Sequence, residues 1–186
     1  FRRVLFRSNA AGTASVTAAQ VNNGSSDNCS IATMTVSPNS FTCANVGANT
    51  ITLTVTDVNG NSSTCSSTVT VQDNSAPVAV CQNLTVQLDS LGAASITAMQ
   101  VNNGSSDNCG IASVTVSPNS FTCANVGANT VTLTVTDVNG NSSTCTSTVT
   151  VQDNIAPAAL CKNVTVQLNA AGTATVTAAQ VNNGSS

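Results

Sequence analysis

The sequence predicts an all-β protein built from small β-sandwich domains in tandem. First, the chain repeats itself with a period of eighty residues, and residues 21–74 differ from residues 101–154 at only five positions. A fixed period of this length indicates an array of folding units. Second, Val, Leu and Ile alternate with Thr over short segments, which is typical of half-buried strands. Third, no segment shows the periodicity of an amphipathic helix.

The strands are predicted within the one complete repeat, residues 76–154. The last two place Val and Leu on one face, and the Asn139-Gly140 pair between them favours a tight hairpin. Pro118 ends the third strand, because proline cannot continue a sheet ladder. About six or seven short antiparallel strands per repeat are typical of a small sandwich. The predicted strands are residues 83–88, 94–101, 111–117, 130–136 and 144–151.

Asp-Asn pairs followed by proline mark boundaries between repeats, at Pro77 and Pro157. Because each linker is short and proline stiffens it, we expect adjacent domains to sit end to end. The chain is therefore divided into a repeat at residues 9–74 that lacks its first strand, a complete repeat at residues 75–154, and the truncated start of a third repeat at residues 155–186.

Residues 1–8 interrupt the repeat and carry three of the four basic residues. Residues 2–8 match one reading frame of a common sequencing-adapter oligonucleotide, so we predict a non-native, adapter-derived segment. The alternative is the tail of a signal or of a preceding domain, although a signal peptide needs a longer apolar stretch and a small-residue cleavage site. Both ends of the chain are expected to be those of a fragment.

The composition excludes several classes of protein. The chain contains no His, Glu, Trp or Tyr, and Lys162 is the only basic residue after Ser8. A nucleic-acid partner is not expected, because such surfaces need clustered Lys and Arg. No apolar run reaches the roughly 18–20 residues that cross a bilayer. General acid–base catalysis relies mainly on His, Glu, Asp or Lys in a cleft, and only scattered Asp residues remain, so the sequence does not predict an enzyme.

The complete repeat carries a set of residues that forms a known pattern, namely Val126-Gly127, residues 130–137, Gly140-Asn141, Cys145, residues 149–151, Asp153 and Pro157. On these residues it resembles the hyalin repeat (HYR) family. The resemblance implies an immunoglobulin-like β-sandwich of the kind found in extracellular adhesion proteins and in long bacterial surface proteins. The chain departs from the family pattern by having Ala156-Pro157 where two prolines are usual, and by an additional pair of cysteines, Cys109 and Cys123.

The eight cysteines recur with the same period. Without His or a Cys-x-x-Cys motif a zinc site is not expected. Disulfides are expected instead, which places the protein in an oxidising compartment, extracellular or at the cell surface. The two sets are Cys29, Cys43, Cys65 and Cys81, followed by Cys109, Cys123, Cys145 and Cys161.

Four cysteines per repeat allow three connectivities. The first and last strands of the sandwich can be neighbours, which favours Cys81–Cys145. Cys109 and Cys123 flank the strand at residues 111–117 and are expected to form a local clasp. The predicted set is Cys81–Cys145, Cys109–Cys123 and Cys29–Cys43, with Cys65 and Cys161 unpaired.

Aspartates also recur in each repeat. If the strands run alternately up and down, Asp73 in the linker, Asp107 in a loop, and Asp137 with Asn139 in the hairpin all fall at the same end of the domain. Carboxylate and amide oxygens are ligands that Ca²⁺ prefers, so we predict a calcium site at the domain junction, with Ca²⁺ as the only candidate cofactor. The alternative is that these Asp residues are turn formers bonded to their own backbone.

The leading hypothesis is a structural or adhesive module of a long secreted or cell-surface protein, acting as a stalk or cell-adhesion element. Its expected partners are neighbouring repeats and an unidentified surface protein or glycan. A carbohydrate-binding accessory module of a secreted enzyme is an alternative, although sugar platforms rely on the Trp and Tyr that this chain lacks. The third hypothesis is ice binding by rows of Thr, namely Thr132, Thr134, Thr136, Thr148 and Thr150.

Overall fold

The computed structural model describes residues 4–7, 9 and 11–185, with the side chains from residue 9 onward. The chain forms two copies of one arrangement of strands. The first copy consists of β1 (Val4–Arg7), β2 (Thr13–Ser15), α1 (Ala18–Val21), β3 (Ile31–Ser37), β4 (Ser40–Thr42), β5 (Gly47–Asp57) and β6 (Ser62–Gln72). The second consists of β7 (Leu84–Gln87), β8 (Ala93–Ser95), α2 (Ala98–Val101), β9 (Ile111–Ser117), β10 (Ser120–Thr122), β11 (Gly127–Asp137) and β12 (Ser142–Gln152).

Each copy contains a four-stranded sheet and a two-stranded sheet. The four-stranded sheets have the orders β1-β6-β5-β3 and β7-β12-β11-β9, and β2 pairs with β4 as β8 pairs with β10. The strand order is therefore the same in both copies. The sequence predicted only antiparallel strands, but β7 runs parallel to β12. A parallel pair needs a connection of a dozen or more residues. Since β7 and β12 are the first and last strands of the repeat, the chain between them is long enough to provide it.

The core of the second copy lies between its two sheets. β11 and β12 contribute their inward-facing Val and Leu side chains, while Thr faces outward, as the period-2 pattern predicted. Phe121 from β10 closes the core from the other sheet and is 2% exposed. Burial of each such side chain contributes about 1.5–3 kcal/mol. The buried set is Leu88, Ile96, Val101, Phe121, Val131, Leu133, Val135, Val149 and Val151.

Residues 94–101 were predicted as one strand, and this was wrong. The strand β8 covers only Ala93–Ser95, and one helical turn, α2, follows. The turn begins at Thr97, whose backbone N–H donates to Oε1 of Gln100 at 2.8 Å. A Thr followed three residues later by Gln is a capping-box signal for a helix start, and it outweighs the strand-like alternation of this short segment.

The first copy was expected to lack its first strand, but Val4–Arg7 forms β1 in parallel with β6. Val4 is opposite Val69, as Leu84 is opposite Val149 one period later. Edge pairing of this kind uses backbone groups that every sequence carries, and an open sheet edge accepts any extended segment. The non-native origin of residues 1–8 stays a prediction, and residues 1–3 and 8 lie outside the described residues.

Residues 155–185, which repeat the start of the second copy, are mostly exposed and contain one helical turn, α3 (Ala178–Val181). An isolated bridge joins Cys161 to Asn182.

Candidate metal centre at the junction of the two copies

The linker between the copies is held against the second copy rather than left free. Nδ2 of Asn141 donates to the carbonyl oxygens of Asp73 at 3.2 Å and of Ser75 at 3.3 Å. The hydroxyl of Ser143 donates to the carbonyl of Pro77, which is itself buried. The β11–β12 hairpin therefore binds three consecutive parts of the linker and places Asp73 beside its own turn.

Three carboxylates meet at this junction. One oxygen from each of Asp73, Asp107 and Asp137 lies within 4.8 Å of the other two. Asp73 directly follows β6, Asp107 precedes β9, and Asp137 is the last residue of β11. The structure thus brings together the three Asp residues that the up-and-down strand argument placed at one end of the domain.

Asp137 organises the hairpin turn. Its Oδ1 accepts from the backbone N–H groups of Asn139 at 2.9 Å and of Asn141 at 2.8 Å, and its Oδ2 accepts from Nδ2 of Asn141 at 2.7 Å. The residue is 1% exposed. These bonds are the turn chemistry that the alternative hypothesis expected of Asp, and they also hold the buried carboxylate in one orientation.

Asp107 combines a turn role with an unused oxygen. Its Oδ2 accepts from the backbone N–H groups of Cys109 at 2.7 Å and of Gly110 at 3.0 Å. Its Oδ1 is buried and has no hydrogen-bond partner among the described residues, and the same is true of Oδ1 of Asn108. Leaving a buried acceptor unsatisfied costs about 1–3 kcal/mol, and more for a charged group. The local turn therefore does not account for both oxygens of Asp107.

Asp73 and Asn139 connect the two copies. The amide nitrogen of Asn139 donates to Oδ2 of Asp73 at 3.0 Å, while the backbone N–H of Ser75 donates to Oδ1 at 3.1 Å. Asn139, a predicted oxygen ligand, thus lies at the cluster but presents its Nδ2 to Asp73. In this orientation it stabilises the Asp73 carboxylate, and rotation of the amide is needed to offer its oxygen to a cation.

The cluster concentrates negative charge without a basic partner in the sequence around it. Residues 9–161 contain no Lys, Arg or His. Asp73 and Asp137 are 6% and 1% exposed, so solvent screens them little. Two carboxylates at this separation repel each other by roughly 3 kcal/mol at an effective dielectric constant of about 20. The arrangement has the donor set and charge of a site for a hard divalent cation.

A disulfide also crosses the junction. Cys43, in a turn of 3-10 helix after β4, is bonded to Cys109 of the second copy, with their Cα atoms 5.2 Å apart. The predicted pairings Cys109–Cys123 and Cys29–Cys43 were therefore wrong. Cys109 and Cys123 are separated by the seven-residue strand β9, which spans about 23 Å, and β10 then turns away to pair with β8. Cys109 therefore meets the preceding copy, and Cys123 remains a free thiol.

The other bridge lies within the second copy and is the predicted Cys81–Cys145, with Cα atoms 6.0 Å apart. Four cysteines are free thiols, all exposed: Cys29, Cys65, Cys123 and Cys161. The sequence reasoning missed the bridge between Cys43 and Cys109 because it paired each of them with a cysteine of its own repeat. The period shows that each repeat carries the same set of cysteines, but it does not say which cysteines of adjacent copies meet.

The rows of Thr lie on the outer face of the β11–β12 hairpin. Thr132 is directly opposite Thr146, and Thr134 is opposite Thr144. Cross-strand Thr pairs stabilise a sheet by roughly 0.2–1 kcal/mol. Sheet pairing therefore gives these residues a structural role of their own.

Comparison with known proteins identifies the complete repeat. The family model described as "HYR domain" matches residues 72–151, and no curated protein matches the chain. One similar solved structure is mouse clustered PcdhgC3 EC1-3, with 17% identity and a TM-score of 0.35; the match covers 60% of this chain and 45% of that chain. Another is human mucin-like protocadherin EC1-2, with 14% identity and a TM-score of 0.35; the match covers 82% of this chain and 97% of that chain. The fibronectin(III)-like modules of Clostridium thermocellum CbhA are also similar (15% identity, 81% and 90%, TM-score 0.31).

The chain spans less than half the length of the mouse protocadherin fragment. Among the described residues, no helix has the length and apolar character needed to cross a membrane. The two disulfides fit an oxidising, extracellular compartment. The match over a whole repeat agrees with the resemblance seen in the sequence. Residues 72–151 match the model of the HYR domain, an extracellular domain.

Proposed function

We propose that this chain is a structural segment of a long secreted or cell-surface protein, in which HYR repeats are joined end to end into a stalk whose junctions bind Ca²⁺. The observation that carries the proposal is the convergence of Asp73, Asp107 and Asp137 within 4.8 Å at the point where one copy meets the next. The module has no catalytic role in this proposal. It acts as a spacer that keeps the two ends of the array at a fixed separation.

Rigidity of the junction is supported by three independent restraints. The linker accepts hydrogen bonds from the β11–β12 hairpin, the disulfide joins Cys43 to Cys109, and Nδ2 of Asn108 donates to the carbonyl of Asn9 at 3.3 Å. Together these contacts tie the linker and the first copy to the second copy. A short linker with such restraints transmits the orientation of one repeat to the next.

Calcium binding is supported by the chemistry of the cluster. Ca²⁺ takes six to eight oxygen ligands, and extracellular modules bind it with Kd values of about 10⁻⁴–10⁻³ M. The buried Oδ1 atoms of Asp107 and Asn108 have no partner among the described residues, and a cation at the cluster would supply one to Asp107. Binding would also remove the repulsion among the three carboxylates. A ligand bound only by the folded state stabilises it by RT ln(1 + [L]/Kd), about 2.7 kcal/mol at a hundredfold excess over Kd.

The test is thermal unfolding of the chain and isothermal titration with CaCl₂, against EDTA and against MgCl₂. We expect Ca²⁺ to raise the melting temperature and to bind with about one ion per junction. Asp107→Asn should abolish the shift. Asp27→Asn is the matched control, because Asp27 occupies the same Ser-Ser-Asp-Asn-Cys loop one repeat earlier but is exposed and outside the cluster.

Two outcomes would contradict the calcium proposal. An unchanged melting temperature in millimolar Ca²⁺ would reduce the three Asp residues to turn formers. Equal effects of Asp107→Asn and Asp27→Asn would place the binding elsewhere.

Small-angle scattering tests the stalk separately. The maximum dimension of the chain should fit two repeats in line, and a distribution that includes folded-back forms would contradict a rigid junction.

A further inference from the structure

One free thiol of the second copy lies in the same position as the cysteine that bridges the copies. Cys123 follows β10 in a turn of 3-10 helix, Cys123–Asn125, as Cys43 follows β4 in the turn Cys43–Asn45. Cys43 is bonded to Cys109, whereas Cys123 is exposed and unpaired. The surface around Cys43 therefore shows what the surface around Cys123 is built to contact.

In the first copy this surface receives the loop that contains Asn108 and Cys109. The Sγ of Cys43 lies 3.4 Å from the carbonyl oxygen of Asn108 and 3.6 Å from that of Gly12. Gly12 has φ of +70°, and a Cβ on it would lie 2.6 Å from that Sγ and 3.0 Å from the Asn108 carbonyl. The absence of a side chain at Gly12 is thus what lets the loop approach the backbone.

The second copy has the same turn, and no loop from the described part of the chain occupies it. Gly92 has φ of +72°, and a Cβ there would lie 2.5 Å from the Sγ of Cys123. Beside it runs an open groove of about 550 Å³, lined by Asp89, Gly92, Cys123, Asp153 and Pro157 among others. Asp153 is one period after Asp73. The groove therefore presents a thiol and a carboxylate, the two groups that the first copy directs at its neighbour.

We infer that this groove binds the Asp-Asn-Cys loop of a following HYR repeat, and that Cys123 forms a disulfide with the loop's cysteine. The inference extends the Cys43–Cys109 contact by one period and does not depend on calcium. It assigns two roles within every repeat. The cysteine before the strand equivalent to β9 bonds to the preceding repeat, and the cysteine after the strand equivalent to β10 bonds to the following repeat. An array built in this way carries one covalent bond across each junction in addition to the polypeptide chain.

The bond forms by thiol–disulfide exchange. The thiolate of Cys123 attacks one sulfur of oxidised glutathione, releasing one glutathione thiolate and leaving a mixed disulfide. The loop cysteine then attacks the Cys123 sulfur of that mixed disulfide and releases the second glutathione. Two protein thiols lose two electrons and two protons in total, and one molecule of oxidised glutathione becomes two of reduced glutathione.

The test uses the full chain and a synthetic ten-residue peptide with the sequence of residues 101–110, VNNGSSDNCG. Both are equilibrated in a buffer of reduced and oxidised glutathione, and the attachment site is mapped by mass spectrometry. The four free thiols compete within the same molecule, so exposure alone predicts comparable labelling. We expect about tenfold more peptide on Cys123 than on Cys29, Cys65 or Cys161, and no such preference with a scrambled peptide that keeps its cysteine.

A matched pair of variants tests the turn. Gly92→Ala should reduce peptide attachment at Cys123, because its Cβ would occupy the space between the turn and the thiol. Gly172→Ala is the control: Gly172 is the same residue one period later, with φ of +74° and nothing within 4 Å of its Cβ position. It should leave attachment unchanged.

Equal labelling of the four thiols in the native chain, or equal labelling by the scrambled peptide, would overturn the inference. So would undiminished attachment in a folded Gly92→Ala chain. If that variant fails to fold, the competition among the four thiols of the native chain decides the question alone.

Discussion

The same end of the two copies has nearly the same sequence but a different environment. In the second copy, Asp107 is partly buried and Asp137 is 1% exposed, and both lie against Asp73. In the first copy, the counterpart Asp27 is exposed and the counterpart Asp57 is only half-buried. The hydrogen bond from the side chain of Asn61, which outweighs desolvation, lowers the pKa of Asp57 below its ordinary value. Asp57 is thus an ordinary turn carboxylate, whereas Asp137 is part of a cluster.

The difference shows that the candidate site belongs to the junction and not to the repeat. Each copy carries the loop and hairpin that supply two carboxylates, but the third, Asp73, comes from the preceding copy. The cysteines follow the same rule: Cys109 is bridged because it meets Cys43, and Cys29 is free. A repeat without its neighbour therefore contains the parts of the site but not the site.

The largest expected effect is a loss of stability on removing the bridge between the copies, compared with removing the equivalent cysteines that are free. The double change Cys43→Ser with Cys109→Ser removes a bridge across 66 residues, which should lower the free energy of unfolding by about 4 kcal/mol on the chain-entropy model. Cys29→Ser with Cys123→Ser changes the same positions in the other copies, where the thiols are free, and should alter it by less than about 0.5 kcal/mol. Equilibrium unfolding in urea measures both. Equal losses would mean that the bridge adds nothing to the junction.

The next effect compares equivalent valines near the hairpins. Val135 is 0% exposed and belongs to the core of the second copy, whereas Val55 is only half-buried. Val135→Ala should lower the free energy of unfolding by about 2 kcal/mol and Val55→Ala by about 1 kcal/mol, because folding buries less of the apolar surface of Val55 than of Val135. Urea denaturation of the two variants gives the difference. A larger cost at Val55 would reverse the order of packing that the structure shows.

A smaller effect concerns the glycine turn at the bridge. Gly12→Ala places a Cβ against Cys43 and Asn108, while Gly172→Ala meets nothing within 4 Å at nearly the same φ. Both variants bear the cost of a left-handed alanine, roughly 1–2 kcal/mol, so their difference isolates the contact. We expect the Cys43–Cys109 bridge to be reduced faster by dithiothreitol in Gly12→Ala than in Gly172→Ala. Identical reduction rates would show that the loop does not need this approach.

The smallest effect is electrostatic and lies in the first copy. Asn61→Ala removes the side-chain hydrogen bond that lowers the pKa of Asp57, so that pKa should rise toward its ordinary value. A lowered pKa stabilises the folded state above the unfolded pKa, and this contribution is lost as the pH falls through the folded value. In the variant, the stability that Asp57 contributes should therefore depend less on pH in the acid range. NMR titration of the Asp57 carboxyl carbon checks it, and an unchanged pKa would assign the shift to the backbone bonds instead.

Much of the fold follows from short-range patterns. The alternation at residues 130–136 and 144–151 predicted β11 and β12, and Pro118 ends the strand before it as expected. The three Asp residues were placed together from strand direction alone. The pairing of Cys43 with Cys109 was not predicted, since it depends on how one copy docks on the next, and no spacing within a repeat encodes that distance.

Residues 155–185 repeat the start of the second copy in sequence, so a comparison of the two segments shows which features the local sequence determines and which depend on the tertiary structure. The capping bond from the backbone of Thr177 to Gln180 and the turn bonds from residues 171 and 173 to Asn169 recur there, as they do at Thr97 and Asp89 in the second copy. These interactions join residues at most four apart, so the local sequence is sufficient to form them.

Strands behave differently in that segment. Residues 164–167 repeat the pattern of β7, yet they form no strand in the described chain, and Leu168 is 69% exposed where its counterpart Leu88 is 4% exposed. β7 exists because β12 lies beside it to pair its backbone and bury its side chains. The amino-acid sequence thus determined the turns, the caps and the alternation. Only the tertiary structure decided which alternating segments became strands, which cysteines were bonded, and where three carboxylates were forced together.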